Sequence, residues 1–442
     1  MASAAQHDPR RTPPERPPRR LGPRPLPQHL GLAMSTWLNS AAILPSLRIA
    51  WQSSAAQDPG QAAAQPAANP LRESVARRLA ELGPQLDRAN PEALAAALQA
   101  EGHARLDAFL TGVETYRHHA FHRDLPEMPV LWRAGTTRLL DYRPADRGAR
   151  PEMRPRLLVV PSLVNRYYIL DLAAEGSFLR HMADRGFDPL VVDWGAPGPV
   201  ERGFDLSAYI AGRLKAVLDA VAREPGGPIF VIGYCMGGNL ALALALRRAA
   251  DIAGLVCLAT PWDFHADGAG QSRVIGQIGR QLEPVLQILG ELPVDILQCF
   301  FSGLDPFQVL RKFQSFAGLD PSSDAARRFV MLEDWLNDGI ALAAAVTREC
   351  MTEWYGENTP ARGEWRVAGS VVDPARVALP SLCIVPAADR IVPPASALAL
   401  ANALRGGDRL TPNAGHIGMM AGRGASPQVW QPLTAWLQAR SA

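Results

Sequence analysis

The feature that most limits the fold of this chain is a series of short, nearly unbroken apolar runs. They are Leu157-Leu158-Val159-Val160, Leu190-Val191-Val192 entered from Pro189, Phe230-Val231-Ile232, Leu255-Val256-Cys257-Leu258 and Leu382-Cys383-Ile384-Val385. A strand with one wet face alternates apolar and polar residues, whereas a strand covered on both faces does not. Helical stretches separate most of these runs. The pattern predicts an α/β fold with a mainly parallel central sheet and helices on both faces.

The sheet rhythm runs from Val130 to the end of the chain at residue 442. It stops between about 265 and 345, where Leu, Phe and Gln dominate, with Phe300, Phe301, Phe307, Phe313 and Phe316. That stretch reads as a helical cap insertion. Such insertions often form lids, and an added packing layer is the equal alternative. Upstream, residues 71–129 read as a helical N-terminal region. Leu71, Val75, Leu79 and Leu82 recur at helical spacing, and Asn90-Pro91-Glu92 reads as a helix start. His118, His119 and His122 close that region with no further ligand beside them, which fits a cationic helix terminus better than a metal site.

Residues 1–70 read as a disordered, proline-rich segment and linker. Runs such as Arg16-Pro17-Pro18-Arg19-Arg20 bury too little apolar surface to offset the entropy of ordering. The arginine pairs invite a twin-arginine export reading, but no continuous apolar region with a small-residue cleavage site follows. Within this segment, residues 30–51 carry Leu32, Met34, Trp37, Leu38, Ile43 and Trp51. They read as a helix packed on the main domain, or else as a segment that touches a lipid or polymer surface.

Composition excludes several classes. Hydrophobic residues make up 48% and charged residues 20%, enough apolar material for a large core. The 45 basic and 43 acidic residues give a net charge of +2, so there is no electrostatic footprint for nucleic acid. No apolar stretch reaches the roughly 18 residues of a spanning helix. The five cysteines are odd in number and scattered, which fits neither a disulfide framework nor a zinc site and predicts a reducing, cytoplasmic setting. There is no His-Glu-x-x-His, and no Gly-x-Gly-x-x-Gly follows a strand, so no metal or redox cofactor is expected.

The richest local signal is Gly233-Tyr234-Cys235-Met236-Gly237-Gly238, between the run ending at Ile232 and the helical run 239–250. This is the strand–turn–helix setting of a Gly-x-nucleophile-x-Gly elbow. Side chains two positions to either side of the nucleophile would collide in so sharp a turn, and Gly233 and Gly237 remove them. Gly238 lets the helix pack closely against the sheet. Cys235 would then stand at a helix N-terminus, which favours a thiolate and later an oxyanion. The bland alternative is a buried cysteine in a glycine-rich turn. Cys257 and Cys383, inside apolar runs, read as core.

In this fold the acid and then the histidine follow the nucleophile. Only His265 and His416 lie after Cys235. His416, in a loop after the last predicted strand, is the favoured base, and His265 reads as a solvated loop residue. Asp389, at the carboxyl end of the run 382–385, is the favoured partner, and Asp263 is its rival. The oxyanion would be met by the backbone N–H of Met236 and by one from the loop after the first run, at Val164 or Asn165.

These residues resemble the polyhydroxyalkanoate synthase family of the α/β-hydrolase superfamily. The resemblance rests on the elbow, Asp389, His416 and the block Pro161-Ser162-Leu163-Val164-Asn165-Arg166-Tyr167-Tyr168-Ile169-Leu170-Asp171-Leu172. It rests also on Val192-Asp193-Trp194-Gly195, Thr260-Pro261-Trp262-Asp263-Phe264 and Trp335-Leu336-Asn337-Asp338-Gly339. The elbow alone is also found in dienelactone hydrolases, whereas the Asn165–Leu172 block is more specific. The resemblance covers about residues 130–425. The sequence departs from it in a short, proline-rich region before the core, and at Arg390, where many relatives carry histidine.

The resemblance implies an α/β-hydrolase fold with a cap, residues 130–442, and a Cys235–His416–Asp389 triad. It implies acyl transfer from (R)-3-hydroxyacyl-CoA to a growing polyester, with acyl-CoA as substrate and no cofactor. It also implies a homodimer at cytoplasmic polyester granules, in some cases with an accessory subunit. The alternative from the same triad is a thioesterase or dienelactone-type hydrolase with water as acceptor.

Overall fold

The computed structural model describes residues 20–43, 70–146 and 154–441. The chain divides into two compact units, 1–120 with 307–330, and 121–306 with 331–442.

The larger unit is built on an eight-stranded sheet. Its strands are β1 (Val130–Ala134), β2 (Thr137–Asp141), β3 (Arg156–Val160), β4 (Asp188–Asp193), β5 (Ile229–Tyr234), β6 (Gly254–Leu258), β7 (Ser381–Ile384) and β8 (Asp408–Leu410). The order across the sheet is β1-β2-β4-β3-β5-β6-β7-β8. Strands β1 and β2 join antiparallel, and every pairing from β4 to β8 is parallel. The five apolar runs are β3 to β7, five of the six strands that have a neighbour on both sides. Their residues alternate between two cores: Leu158, Val160, Val231 and Leu255 face one, and Leu157, Val159, Ile232 and Val256 face the other. This is why the runs are unbroken: both faces are dry.

After β3 the chain steps to β4 on one side, then returns past β3 to β5 on the other. Open α/β sheets bind ligands at the carboxyl ends of the strands beside such a reversal. The loop after β3 and the turn after β5 therefore meet where a site is expected.

The smaller unit holds α1 (Leu26–Trp37), α2 (Pro70–Arg88) and α3 (Pro91–His118) together with Phe307–Val330. Asn90 caps α3 by accepting from the N–H groups of Glu92 (2.9 Å) and Ala93 (3.2 Å), as the Asn-Pro-Glu signal predicted. Gly112 of α3 lies against the Phe313 backbone, and Phe109 and Tyr116 meet the Phe313 ring edge-on at 6.2 and 5.6 Å. Helix α1 begins inside the stretch read as disordered, since Ala33 and Trp37 are buried and supply the apolar face that ordering requires. Residues 1–19 and 44–69, including the rest of that stretch, lie outside the described residues. The insertion is also divided. Phe307–Val330 clusters with the N-terminal helices and the remainder with the sheet. Among the described residues no helix is long and apolar enough to cross a membrane.

Candidate active site

Strand β5 ends at Tyr234, and the next helix, α4 (Met236–Arg247), starts at Met236. Cys235 alone makes the turn, at φ 56° and ψ −129°. A side-chain-bearing residue at positive φ is strained and persists only where its surroundings fix it. Here crowding fixes it. A Cβ on Gly233 would strike the Gly237 and Gly238 backbone, one on Gly237 would strike Val160 and Pro161, and one on Gly238 would strike Thr260. The glycines thus press the start of α4 against the ends of β3 and β6. The Cys235 N–H donates to the Leu258 carbonyl at 2.8 Å, and the residue is only partly buried.

His416 and Asp389 arrive from loops after β8 and β7 and are buried, with 6% and 5% of their surface exposed. His416 Nδ1 donates to Asp389 Oδ2 at 2.7 Å, which leaves Nε2 for the thiol. The other Asp389 oxygen accepts from the N–H groups of Ile391 (2.8 Å) and Val392 (2.9 Å), so the carboxylate is held on both sides. The Tyr234 ring stacks on the imidazole at 5.2 Å, and its hydroxyl donates to the His416 carbonyl at 3.0 Å. The Cys235 side chain lies within hydrogen-bonding reach of His416. Burial lowers the His416 pKa, but the charge of an ionised Cys235, hydrogen bonds to Asp389 and Cys235, and the Asp389 charge outweigh it and raise the pKa to about 10. The three residues singled out in the sequence are brought together, and the arrangement can pass a proton between sulfur and imidazole.

Neither rival joins them. His265 Nε2 lies 2.8 Å from the Tyr355 carbonyl. Asp263 Oδ1 accepts from the His265 N–H at 2.9 Å and from Asn358 Nδ2 at 2.8 Å.

The oxyanion candidates divide. Met236 is the first residue of α4, where N–H groups have no partner inside the helix. The Val164 N–H is not available, because it donates to Ser162 Oγ at 3.0 Å in a local turn. Asn165 remains as the loop candidate, and its side-chain Oδ1 is buried with no partner.

The family-like blocks brace this loop. Trp335 Nε1 donates to the Arg166 carbonyl (2.8 Å), the Ile340 N–H to the Val164 carbonyl (3.2 Å), and Tyr168 Oη to Asp338 (3.1 Å). The fully buried Asp171 accepts from Tyr142 Oη (2.8 Å), Arg180 Nε (2.9 Å) and Arg123 Nη2 (3.2 Å). Trp194 Nε1 donates to the Pro161 carbonyl at 3.0 Å. Sequence reasoning missed Tyr355 and Asn358, which stand against the segment after β6. Asn358 sits at φ 57° and accepts from the Phe264 N–H at 3.0 Å. Among the described residues no group of three or more His, Cys, Asp or Glu could hold a metal ion.

A strained thiol turn on this sheet, facing a buried His–Asp couple, defines an α/β-hydrolase-type site. The chain belongs to the alpha/beta hydrolase fold family, whose profile matches residues 155–422. A second profile, the N-terminus of poly-beta-hydroxybutyrate polymerase (PhaC), matches residues 125–182, the stretch that holds β1 to β3 and the braced loop. The chain is similar to curated proteins named poly(3-hydroxyalkanoate) polymerase subunit PhaC. One, from Haloferax mediterranei, is 26% identical over 71% of this chain and 64% of its own length. Those from Thiocystis violacea and Allochromatium vinosum are each 27% identical, over 66% and 69% of this chain and 83% and 86% of their own. The match thus spans just under two thirds of the Haloferax protein.

Proposed function

We propose that this chain is a polyhydroxyalkanoate synthase-type acyltransferase that takes (R)-3-hydroxyacyl-CoA and extends a polyester, releasing CoA. The observation that carries this reading is the buried Asp389–His416 couple set against the strained thiol of Cys235. The similarity to proteins named as polymerases favours a synthase over a hydrolase with the same groups.

On this reading His416 takes the Cys235 proton and the sulfur attacks the thioester carbonyl. The carbon–sulfur bond to CoA breaks, and the imidazolium returns the proton to the departing CoA sulfur. Exchange between two thioesters is nearly isoenergetic, so the acyl group stays activated. The 3-hydroxyl of a second acyl unit then attacks, His416 accepts its proton, and Cys235 recovers a thiol as the ester forms. Asp389 fixes the imidazole tautomer and balances its charge. The tetrahedral oxyanion meets the N–H groups of Met236 and Asn165. One such donor lowers the barrier by about 3–4 kcal/mol.

The reading needs no cofactor, since acyl-CoA is the substrate. It puts the chain in the cytoplasm at a polyester surface, as a homodimer to which, in some members of the family, an accessory subunit is added. The test is incubation with (R)-3-hydroxybutyryl-CoA. CoA release together with insoluble polyester is expected. CoA release with only free hydroxy acid would transfer the chain to the hydrolases.

A further inference from the structure

A cavity of about 390 Å³ opens at the far end of α4, within the larger unit. Cys235 precedes the first residue of α4, whereas the cavity takes Ala243, Leu244 and Arg247 from its last turns. A helix of 12 residues is about 18 Å long, so the cavity is remote from the thiol. Three irregular pieces of chain complete it. Ile210 and Ala211 come from the π-helical turn Ala208–Leu214, a form found mostly at functional sites. Val367 and Ser370 come from the hairpin that pairs Arg366–Val367 with Ser370–Val371, whose turn holds Ala368 at φ 44°. Such strain collects at binding and active sites. Arg376 ends the short turn Pro374–Arg376.

The charges at this cavity have one sign. Its apolar lining, with Leu244, Val367 and Val372, is buried, and no acidic side chain is part of it. Lys215, Arg247, Arg248 and Arg376 supply four cations. Two of them are already neutralised. Asp219 takes Lys215 Nζ at 2.9 Å and Arg248 Nη1 at 2.6 Å, and Asp251 takes Arg248 Nε at 2.7 Å. The other two are exposed and have no carboxylate among the described residues. Arg247 Nη1 donates to the Val367 carbonyl at 3.1 Å. Nothing among the described residues takes up the Arg376 guanidinium or the Ser370 hydroxyl. Asp373, three residues before Arg376, instead accepts from the Ala375 N–H at 3.0 Å. The C-terminal dipole of α4 accounts for a cation in its last turn, but Arg376 comes from another element.

Guanidinium groups are matched by the paired oxygens of a carboxylate or phosphate. Small-molecule sites of this size combine apolar walls with a few placed polar groups. An inorganic ion would leave the apolar lining unused, and a neutral chain would leave two arginines unmatched. We propose that this cavity binds an organic anion, a carboxylate or phosphate head on a short apolar chain, held by Arg247 and Arg376. The site is separate from Cys235 and does not depend on the acyl-transfer reading.

The experiment titrates the full-length chain calorimetrically with hexanoate, hexyl phosphate, hexanol and inorganic phosphate. Hexanoate or hexyl phosphate should bind, the tighter of the two naming the head group, and hexanol and inorganic phosphate should bind at least about tenfold more weakly. Arg247→Gln and Arg376→Gln should each weaken the tighter ligand about fivefold, with Tm and Cys235 acylation unchanged. No binding of either chain-bearing anion up to about 10 mM would overturn the proposal. So would hexanol or inorganic phosphate binding as tightly as the chain-bearing anions, or an unchanged affinity in either variant.

Discussion

Two regions of one sheet carry cysteine and treat it in opposite ways. Cys257 on β6 and Cys383 on β7 sit directly opposite one another in parallel register, inside the strands and buried. A hydrogen bond with Cys383, then burial, pushes the Cys257 thiol well up, so it stays protonated. Cys235 lies one residue beyond the end of β5, in a backbone conformation that costs free energy, partly open and facing an imidazole. The residue type is the same and the sheet is the same. Position relative to the strand end separates a core atom from a nucleophile.

The largest test of that contrast is to remove each sulfur. Cys235→Ala should abolish acylation by (R)-3-hydroxybutyryl-CoA. Cys257→Ala should leave acylation intact and cost about 1 kcal/mol in chemical denaturation. An acylated Cys235→Ala chain would erase the distinction.

The imidazole supplies the next largest effect. His416→Gln should slow acylation by about 10²–10⁴-fold, read in single-turnover CoA release. Near-normal rates would move suspicion to His265.

A pH profile sharpens the same pair. The acylation step needs imidazolium to protonate the departing sulfur, so its rate should fall as pH rises through about 10, the raised value of His416. For stability the sign is the same. His416 titrates near 6.5 when unfolded and about 10 when folded, so its contribution is complete below about 6.5 and lost as pH rises through about 10. His416→Gln should remove that part of the alkaline loss of Tm.

The smallest effect lies away from the thiol. Burial, opposed by the Leu206 N–H, raises Glu349 from 4.5 to about 7. The folded chain then holds a proton that the unfolded chain has released, so stability declines as pH rises from about 4.5 through about 7. Glu349→Gln should flatten that decline in thermal melts and leave acylation within about twofold.

The inner sheet was legible because burial on both faces writes itself into consecutive residues. The elbow was legible because its crowding admits only glycine at positions 233, 237 and 238. His416 and Asp389 followed from chain order together with their places just beyond the last apolar runs. The edges were harder to read: β1 and β2 contain Arg133, Thr137 and Arg138, and β8 is only Asp408-Arg409-Leu410, largely exposed. Sequence alone cannot choose between Val164 and Asn165 as the loop donor, because nothing in it shows Ser162 claiming the Val164 N–H. Tyr355 was invisible because only the folded chain brings residues about ninety positions apart, His265 and Tyr355, into contact. The division of the insertion at Phe307 is likewise a matter of distant partners, Phe109 and Tyr116 among them.

The central claim is that the acyl group travels on one sulfur. Quenching the enzyme during turnover with (R)-3-hydroxybutyryl-CoA and mapping the modified peptide tests it most directly. The account predicts a hydroxybutyryl adduct on the peptide that contains Cys235. CoA release with the adduct on another residue, or with none on that peptide, would contradict it.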